Sequence, residues 1–178
     1  LYDVDLRLRP NGDSGFLACS IETFTKYQRE SAWTWEHQSL GRARLICGDT
    51  NIGSAFDQLR QEILTRKRNP AELLREIINM REKMFLTPPT TDSDVKYARG
   101  GVVAVEFIVQ FLVLTYSHQH PELLNNYGNI ALLNLAAQAG LINTDSADRA
   151  RIAYRFYRQQ QHNTKLRDME KLEVCAQL

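Results

Sequence analysis

The first ten residues hold the side chains whose types and spacing best fit catalytic chemistry. In the segment DVDLRLRP, two carboxylates, Asp3 and Asp5, and two guanidinium groups, Arg7 and Arg9, alternate with apolar residues. This alternation predicts a β-strand over residues 2–8, with the charged side chains on one face at roughly 6.6 Å per pair of residues. Carboxylates can hold Mg²⁺ against a nucleoside triphosphate, and cations can neutralise a leaving pyrophosphate. The same pattern also fits an exposed strand face with cross-strand ion pairs.

The residues after this strand predict a β-hairpin. Pro10 ends the strand, and the NGDSG segment at 11–15 has the turn chemistry of a hairpin loop. A second strand is therefore expected over residues 16–20. Since two strands are marginally stable alone, we expect the hairpin to belong to a larger sheet whose other strands precede residue 1.

Helical spacing begins at Ser20 and predicts two helices. Ser20 is a plausible N-cap for a first helix that runs towards Arg44, with Gly41 as a kink and Gly48 closing the segment. The apolar stripe of a second helix includes Leu59 and Ile63, and its last turn is expected to hold the basic residues at 66–68, where cations suit the helix dipole.

Further helices are expected in the rest of the chain. Asn69 followed by Pro70 is a strong helix start. The polar, proline-containing segment 87–94 predicts a loop and the most disordered part of the chain. A glycine pair at 100–101 opens an apolar helix to residue 117, a further helix is expected to end at Gly140, and a last long helix starts at Thr144 or Asp145.

The composition excludes several classes of protein. Twenty-two basic and 21 acidic residues leave a net charge of +1, which gives no global field for nucleic acid or an anionic membrane. The longest apolar run, 102–116, is too short for a membrane span and contains Glu106 and Gln110. Three widely spaced cysteines predict neither a disulfide framework nor a metal site, and indicate reduced thiols in the cytoplasm.

Two long motifs carry a resemblance to a known family. The segments YDVDLRLRPNGDSG and AWTWEHQSLGRARLICGD, in this order and spacing, closely resemble the carboxy-terminal, adenylylating half of the bifunctional glutamine-synthetase adenylyltransferase/deadenylase. A weaker resemblance continues through MREKM and GGVVAVEFIVQ and becomes thin after about residue 145. Gly41 and Ala104 depart from the usual pattern of the family.

The resemblance implies the edge of a polymerase-β-type nucleotidyltransferase site. By this resemblance, Asp5 corresponds to a third catalytic carboxylate that binds metal and helps to deprotonate the acceptor hydroxyl. Asp3 is an accessory metal ligand or a surface group, and Arg7 and Arg9 contact phosphates or flanking carboxylates. The Gly-Ser turn and the paired carboxylates of this core are absent here. The 178-residue chain is therefore expected to be inactive alone, with Mg²⁺ as cofactor and ATP as substrate of the larger enzyme.

The fold expected from both arguments is α+β and mostly α. A short β-hairpin left from the nucleotidyltransferase sheet, with one helix, forms the end of a catalytic domain over residues 1–48, and a helical bundle follows over residues 49–178. The acceptor implied by the resemblance is a tyrosine of glutamine synthetase, in the regulation of nitrogen assimilation. Alternatively, the bundle is a non-catalytic module that contacts glutamine synthetase or the PII signal protein. A nucleic-acid nucleotidyltransferase is the weakest alternative, because no basic patch interleaved with aromatic residues follows the strand.

For three other sets of side chains we favour a structural role over a catalytic or metal-binding one. Trp35 is expected in the core, with Glu36 paired to an arginine. Glu106 is expected to be buried in the apolar helix, so its carboxylate needs a cationic partner, such as Lys96 or an arginine. His118 and His120 lack a third ligand nearby in the sequence, so no zinc site is predicted.

Overall fold

The computed structural model describes residues 9–85, 95–125 and 128–166, and the side chains of Asp13, Phe85 and residues 164–166 are left out of the description. Its α-helices are α1 (Ile21–Glu30), α2 (Thr34–Leu40), α3 (Thr50–Leu64), α4 (Pro70–Phe85), α5 (Val102–Tyr116), α6 (Asn129–Gln138) and α7 (Thr144–Leu166). Two short 3₁₀ helices cover Gly12–Ser14 and Pro121–Leu124. The expectation of a mostly helical protein with a helical bundle is confirmed.

The predicted second strand does not form. Residues 16–20 have no strand structure, and the side chains of Phe16 and Leu17 are 88% and 73% exposed. A strand depends on hydrogen bonds to a neighbouring strand, so the apolar residues of this segment do not create one by themselves. The first predicted strand, 2–8, lies outside the described residues, as does the loop predicted at 87–94.

The long first helix is also shorter than predicted. Ser20 is its N-cap as expected, since its hydroxyl oxygen accepts a hydrogen bond from the Thr23 amide at 3.3 Å. The chain leaves helical geometry at Ser31, and α2 then ends at Leu40. Gly41 is therefore the C-cap of α2 and not a kink within a longer helix. Helical spacing alone did not reveal the break between α1 and α2.

Helix α3 ends before the basic residues that were expected in its last turn. Its last helical residue is Leu64, and Arg66 and Arg68 follow in an irregular segment. Arg68 turns back so that its guanidinium donates to the carbonyl oxygen of Ile63 at 2.8 Å. The cation still lies at the helix C-terminus, but it caps the carbonyl groups from outside the helix.

The chain divides into two compact units. The first contains residues 1–69 and 113–126, and the second contains residues 70–112 and 127–178. In the first unit, α1 and α2 pack on α3, and the buried residues include Leu40, Leu59, Ile63, Leu64, Leu114 and Leu123. In the second unit, α6 packs on α7, and the buried residues include Leu73, Ile77, Val105, Val109, Leu133 and Ala147.

Helix α5 is apolar around most of its circumference, as predicted for a buried helix. Seven of its apolar residues are at most 6% exposed: Val102, Val103, Val105, Val109, Leu112, Val113 and Leu114. A helix that is apolar on several faces is stable in water only when protein covers those faces. In the part of the chain that the structure describes, no helix is both long and apolar enough to cross a membrane.

Candidate functional site

Of the predicted site residues, Arg9 lies in the described part of the chain, whereas Asp3, Asp5 and Arg7 lie outside it. Arg9 is held by the tight turn that follows it. Its Nε donates to the carbonyl oxygen of Gly15 at 3.2 Å, and its own carbonyl oxygen accepts from the Gly12 amide at 2.9 Å. The end of the predicted catalytic strand is therefore fixed at one defined position.

Glycine is required at position 15 of this turn. A Cβ atom built on Gly15 would lie far inside van der Waals contact of the Pro10 carbonyl oxygen. Asn11, with φ of 62°, provides the left-handed conformation that reverses the chain. The NGDSG segment therefore makes a turn as predicted, although it does not connect two strands in the described residues.

Arg9 lines a pocket of about 420 Å³ in the first unit. The other residues of the pocket come from α1, α2, α3 and the segments beside them: Pro10, Phe24, Gln28, Trp35, Glu36, Ser39, Leu40, Arg42, Ala43 and Phe56. Trp35, singled out from the sequence for the core, is a half-buried wall of this pocket. Arg9 and Arg42 supply positive charge, and the rings of Phe24 and Phe56, 6.0 Å apart, supply an apolar wall.

The same pocket is also lined by a buried carboxylate, that of Glu36. Glu36 is 7% exposed, and its Oε1 accepts from the Tyr27 hydroxyl at 2.9 Å while its Oε2 accepts from the Trp33 amide at 2.8 Å. The amide bond caps the start of α2. Among the described residues, the hydrogen-bond donors to Glu36 are thus a hydroxyl and an amide, and the expected arginine is not one of them. Burial raises the pKa of Tyr27, so its hydroxyl stays a donor at neutral pH.

Gln28 is a polar group of this pocket that sequence reasoning missed. It is 4% exposed, and its Oε1 is buried with no hydrogen-bond partner among the described residues. An unsatisfied buried acceptor is uncommon in folded proteins, and a bound water or ion is one explanation for it. Nothing in the local sequence distinguishes Gln28 from a surface glutamine of α1.

His37 lies on the side of α2 next to this cluster and is held in one tautomer. Its Nε2 is 3.0 Å from the Gln28 carbonyl oxygen, and its Nδ1 is 3.5 Å from Nη2 of Arg68. A carbonyl oxygen only accepts and a guanidinium only donates, so the proton of the neutral ring belongs on Nε2. Burial, and secondarily the charge of Arg68, lowers the pKa of His37.

Among the residues that the structure describes, no group of three or more histidine, cysteine, aspartate or glutamate side chains is placed to hold a metal ion. The absence of zinc from His118 and His120 stays a prediction. The predicted ligands of Mg²⁺, Asp3 and Asp5, lie outside this part of the chain.

The second unit contains a separate row of hydrogen-bonded polar side chains in its interior. The Tyr154 hydroxyl donates to Oε1 of Glu106 at 3.1 Å and accepts from Nδ2 of Asn129 at 2.9 Å. These three residues connect α5, α6 and α7, and both Tyr154 and Asn129 are buried. The Tyr154 hydroxyl is thus one donor to the Glu106 carboxylate. The cationic partner that the sequence predicted for Glu106 stays a prediction.

Comparisons with known proteins match the two parts of the chain differently. Residues 1–59 match the family described as glutamate-ammonia ligase adenylyltransferase. Residues 69–173, more than half of the chain, match the family described as GlnD PII-uridylyltransferase. This chain belongs to the GlnD PII-uridylyltransferase family. The gap between the two matched segments contains the end of α3 and the basic residues that follow it.

Among the similar proteins are bacterial ones named bifunctional glutamine synthetase adenylyltransferase/adenylyl-removing enzyme. The chain is 66% identical to the one of Neisseria meningitidis serogroup A and 53% identical to the one of Chromobacterium violaceum, in both cases over all 178 residues and 20% of the relative. It is 52% identical to the one of Nitrosomonas eutropha over 93% of the chain and 18% of the relative.

The comparisons confirm the resemblance inferred from the two motifs. The chain spans about a fifth of the length of the curated relatives that it matches.

Proposed function

We propose that this chain is part of a cytoplasmic protein adenylyltransferase that transfers AMP from ATP to a tyrosine of glutamine synthetase, and so regulates nitrogen assimilation. The observation that carries the proposal is the position of Arg9. It follows the predicted Asp5-bearing strand directly and lines a pocket that also holds Arg42 and aromatic side chains. Identity of 66% along the whole chain to an enzyme of that name supports it.

In this proposal each charged residue of the amino-terminal segment has a role. Asp5 is the carboxylate that binds metal and orients the acceptor hydroxyl, and Asp3 assists it. Arg7 and Arg9 stabilise the phosphate oxygens on which negative charge develops. Mg²⁺ bound by these carboxylates would neutralise charge on the triphosphate. The described residues would contribute in two ways: the Gly15 carbonyl oxygen holds the Arg9 side chain in place, and Arg9 forms part of the pocket wall.

We also propose the domain division given by the sequence, with residues 1–48 as the end of a polymerase-β-type catalytic domain and residues 49–178 as a helical bundle domain. The match of residues 1–59 to an adenylyltransferase family supports the first part, and the match of residues 69–173 to another family supports the second.

The test of the proposal is AMP incorporation into glutamine synthetase by the longer enzyme that contains this chain. We expect Asp5→Asn to lower the transfer rate at least about 100-fold, because a metal-binding carboxylate is lost, and Asp3→Asn to lower it less. The control is Asp148→Asn, which makes the same charge change in a surface pair with Arg151 on α7. Full transfer by a folded Asp5→Asn enzyme would show that the charged strand face is structural.

A second function is favoured by the match over residues 69–173. In it, the helical unit is a partner-binding module for glutamine synthetase or for the PII protein. Calorimetric titration of the 178-residue chain with each purified protein tests this possibility. Saturable binding to either partner that survives Asp5→Asn would support the module, and no heat with both would contradict it.

A further inference from the structure

Arg60 is a buried cation with an unusual set of partners. It is 7% exposed, and it lies on α3 with its guanidinium at the C-terminal end of α2. Its Nε donates to the Leu40 carbonyl oxygen at 2.8 Å and its Nη2 donates to the Gly41 carbonyl oxygen at 3.0 Å. Both acceptors are neutral, so the hydrogen bonds hold the group in place without supplying a counter-charge.

The remaining nitrogen of this guanidinium, Nη1, has no hydrogen-bond acceptor in the part of the chain that the structure describes. The structure gives Nη1 of Arg60 no hydrogen bond and no ion pair among the described residues, and Asp57 acts on Arg60 only from a distance. Burial of a charge is costly unless the charge is paired, and here Asp57 offsets that cost without forming an ion pair with Arg60 among the described residues. Burial accordingly lowers the pKa of Arg60, which keeps its charge at neutral pH.

The guanidinium borders a pocket of about 420 Å³ that no proposed role explains. The pocket lies between α3, the segment after α2 and the 3₁₀ helix Pro121–Leu124, all in the first unit. A second cation, Arg44, and the side-chain amides of Gln61 and Asn125 line it, together with Ala43, Asp57, Pro121 and Leu124. Two guanidinium groups and two amides are a donor set for oxygen atoms.

We propose that this pocket binds a small ligand through an oxyanion, either a carboxylate or a phosphate group, with Arg60 as the buried anchor and Arg44 as the second cation. The ligand supplies a counter-charge in direct contact with Arg60, whereas Asp57 acts on Arg60 only from a distance. Asp57 lies in the same pocket and repels the anion, so it limits the affinity. The proposal concerns binding alone, and its success or failure is independent of the AMP transfer proposed above.

The experiment is a titration of the 178-residue chain with inorganic phosphate and, in a second arm, with acetate. Amide ¹H–¹⁵N spectra report the binding, and chloride keeps the ionic strength constant. Arg60 is left intact because it also holds α2. We expect saturable shifts at residues 43–61 and 121–125, about five- to tenfold weaker binding in Arg44→Gln, and about two- to threefold tighter binding in Asp57→Asn.

Two matched variants make the same charge changes elsewhere. Arg155→Gln and Asp148→Asn alter α7 in the second unit and should leave the affinity unchanged. Saturation by phosphate alone assigns a phosphate ligand, and saturation by acetate as well assigns a carboxylate; either result supports the site. Shifts that do not saturate, or that respond equally to the α7 variants, would show an adventitious ion only and overturn the proposal.

Discussion

A single residue, His37, makes the stability of the first unit depend on pH. Its ring is fixed between the Gln28 carbonyl and the Arg68 guanidinium, so a second proton would have to lie on Nδ1 and face a cation. Arg66 adds further positive charge, and Glu36 opposes it weakly. The folded state therefore favours the neutral ring.

A pH dependence of stability follows from this arrangement. The pKa of His37 is lowered from its ordinary 6.5, so the unfolded chain binds the proton more readily than the folded one. The stabilisation is complete above about pH 6.5 and is lost as the pH falls towards the folded pKa. We expect His37→Gln, which keeps a donor for Gln28, to reduce the loss of stability between pH 7 and pH 5 in urea unfolding.

His162→Gln is the control for this measurement, because His162 is exposed on α7. It should retain the pH dependence of the unchanged protein. If both variants show the same dependence as the unchanged chain, the neutral state of His37 does not contribute to stability.

At the scale of elements, the start of α5 depends on a glycine that cannot be replaced easily. The Val102 amide donates to the Val95 carbonyl oxygen at 3.0 Å, and the Gly101 amide donates to the Ala98 carbonyl oxygen at 2.9 Å. The Cβ of any other residue at position 101 would collide with these same backbone oxygens. The turn before α5 is therefore built around the absence of a side chain.

We expect Gly101→Ala to destabilise the chain by about 1–3 kcal/mol, because backbone atoms must move to make room. Urea unfolding monitored by circular dichroism measures the change. Gly128→Ala is the control, since a Cβ there meets no described residue within 4 Å and its backbone is already in the extended region. Equal effects of the two substitutions would mean that the collision at position 101 is relieved without cost.

The hydrogen bonds that join Glu106, Tyr154 and Asn129 in the second unit lead to another prediction at this scale. Tyr154→Phe removes the hydroxyl that lies between Glu106 and Asn129, and it leaves the buried Asn129 amide without that acceptor. We expect a loss of about 1–3 kcal/mol in the free energy of unfolding. Tyr157→Phe, on the same helix and in ring contact with Phe156, should cost less. A similar loss in both would assign the effect to α7 in general.

At the scale of the whole molecule, we propose that the chain is a segment of a larger catalytic arrangement. It spans about a fifth of its relatives, and its motifs supply one of the three carboxylates that the family resemblance implies. We expect the purified 178-residue chain to transfer no measurable AMP from ATP to glutamine synthetase. A radiolabel assay at high chain concentration checks this expectation, and incorporation above the background without protein would contradict it.

The compact units of the molecule do not follow the order of the chain. Residues 113–126 belong with residues 1–69, and Ser117 shows why, since its hydroxyl donates to the Leu64 carbonyl oxygen at 2.7 Å. Arg68 also donates to the Leu114 carbonyl oxygen at 3.4 Å. A boundary drawn along the sequence alone would not identify these connections.

The sequence by itself determined the family resemblance and most helix positions. The Ser20 cap, the start at Pro70, the apolar stretch of α5 and the start of α7 at Thr144 are local signals, and the structure agrees with each. Local signals work here because a helix is stabilised by residues three or four positions apart. The site residues Asp3, Asp5 and Arg7 stay predictions from the sequence.

The tertiary structure alone decided where α2 and α3 end, which groups surround Arg9, and which carbonyl groups hold the buried cation Arg60. Arg60 contacts Leu40 and Gly41, and Arg68 contacts Leu114, across separations of 19 to 46 residues. Such contacts exist only after packing has brought distant segments together, so no local pattern encodes them. The missing strand at 16–20 has the same cause, because a strand needs a neighbour to complete its hydrogen bonds.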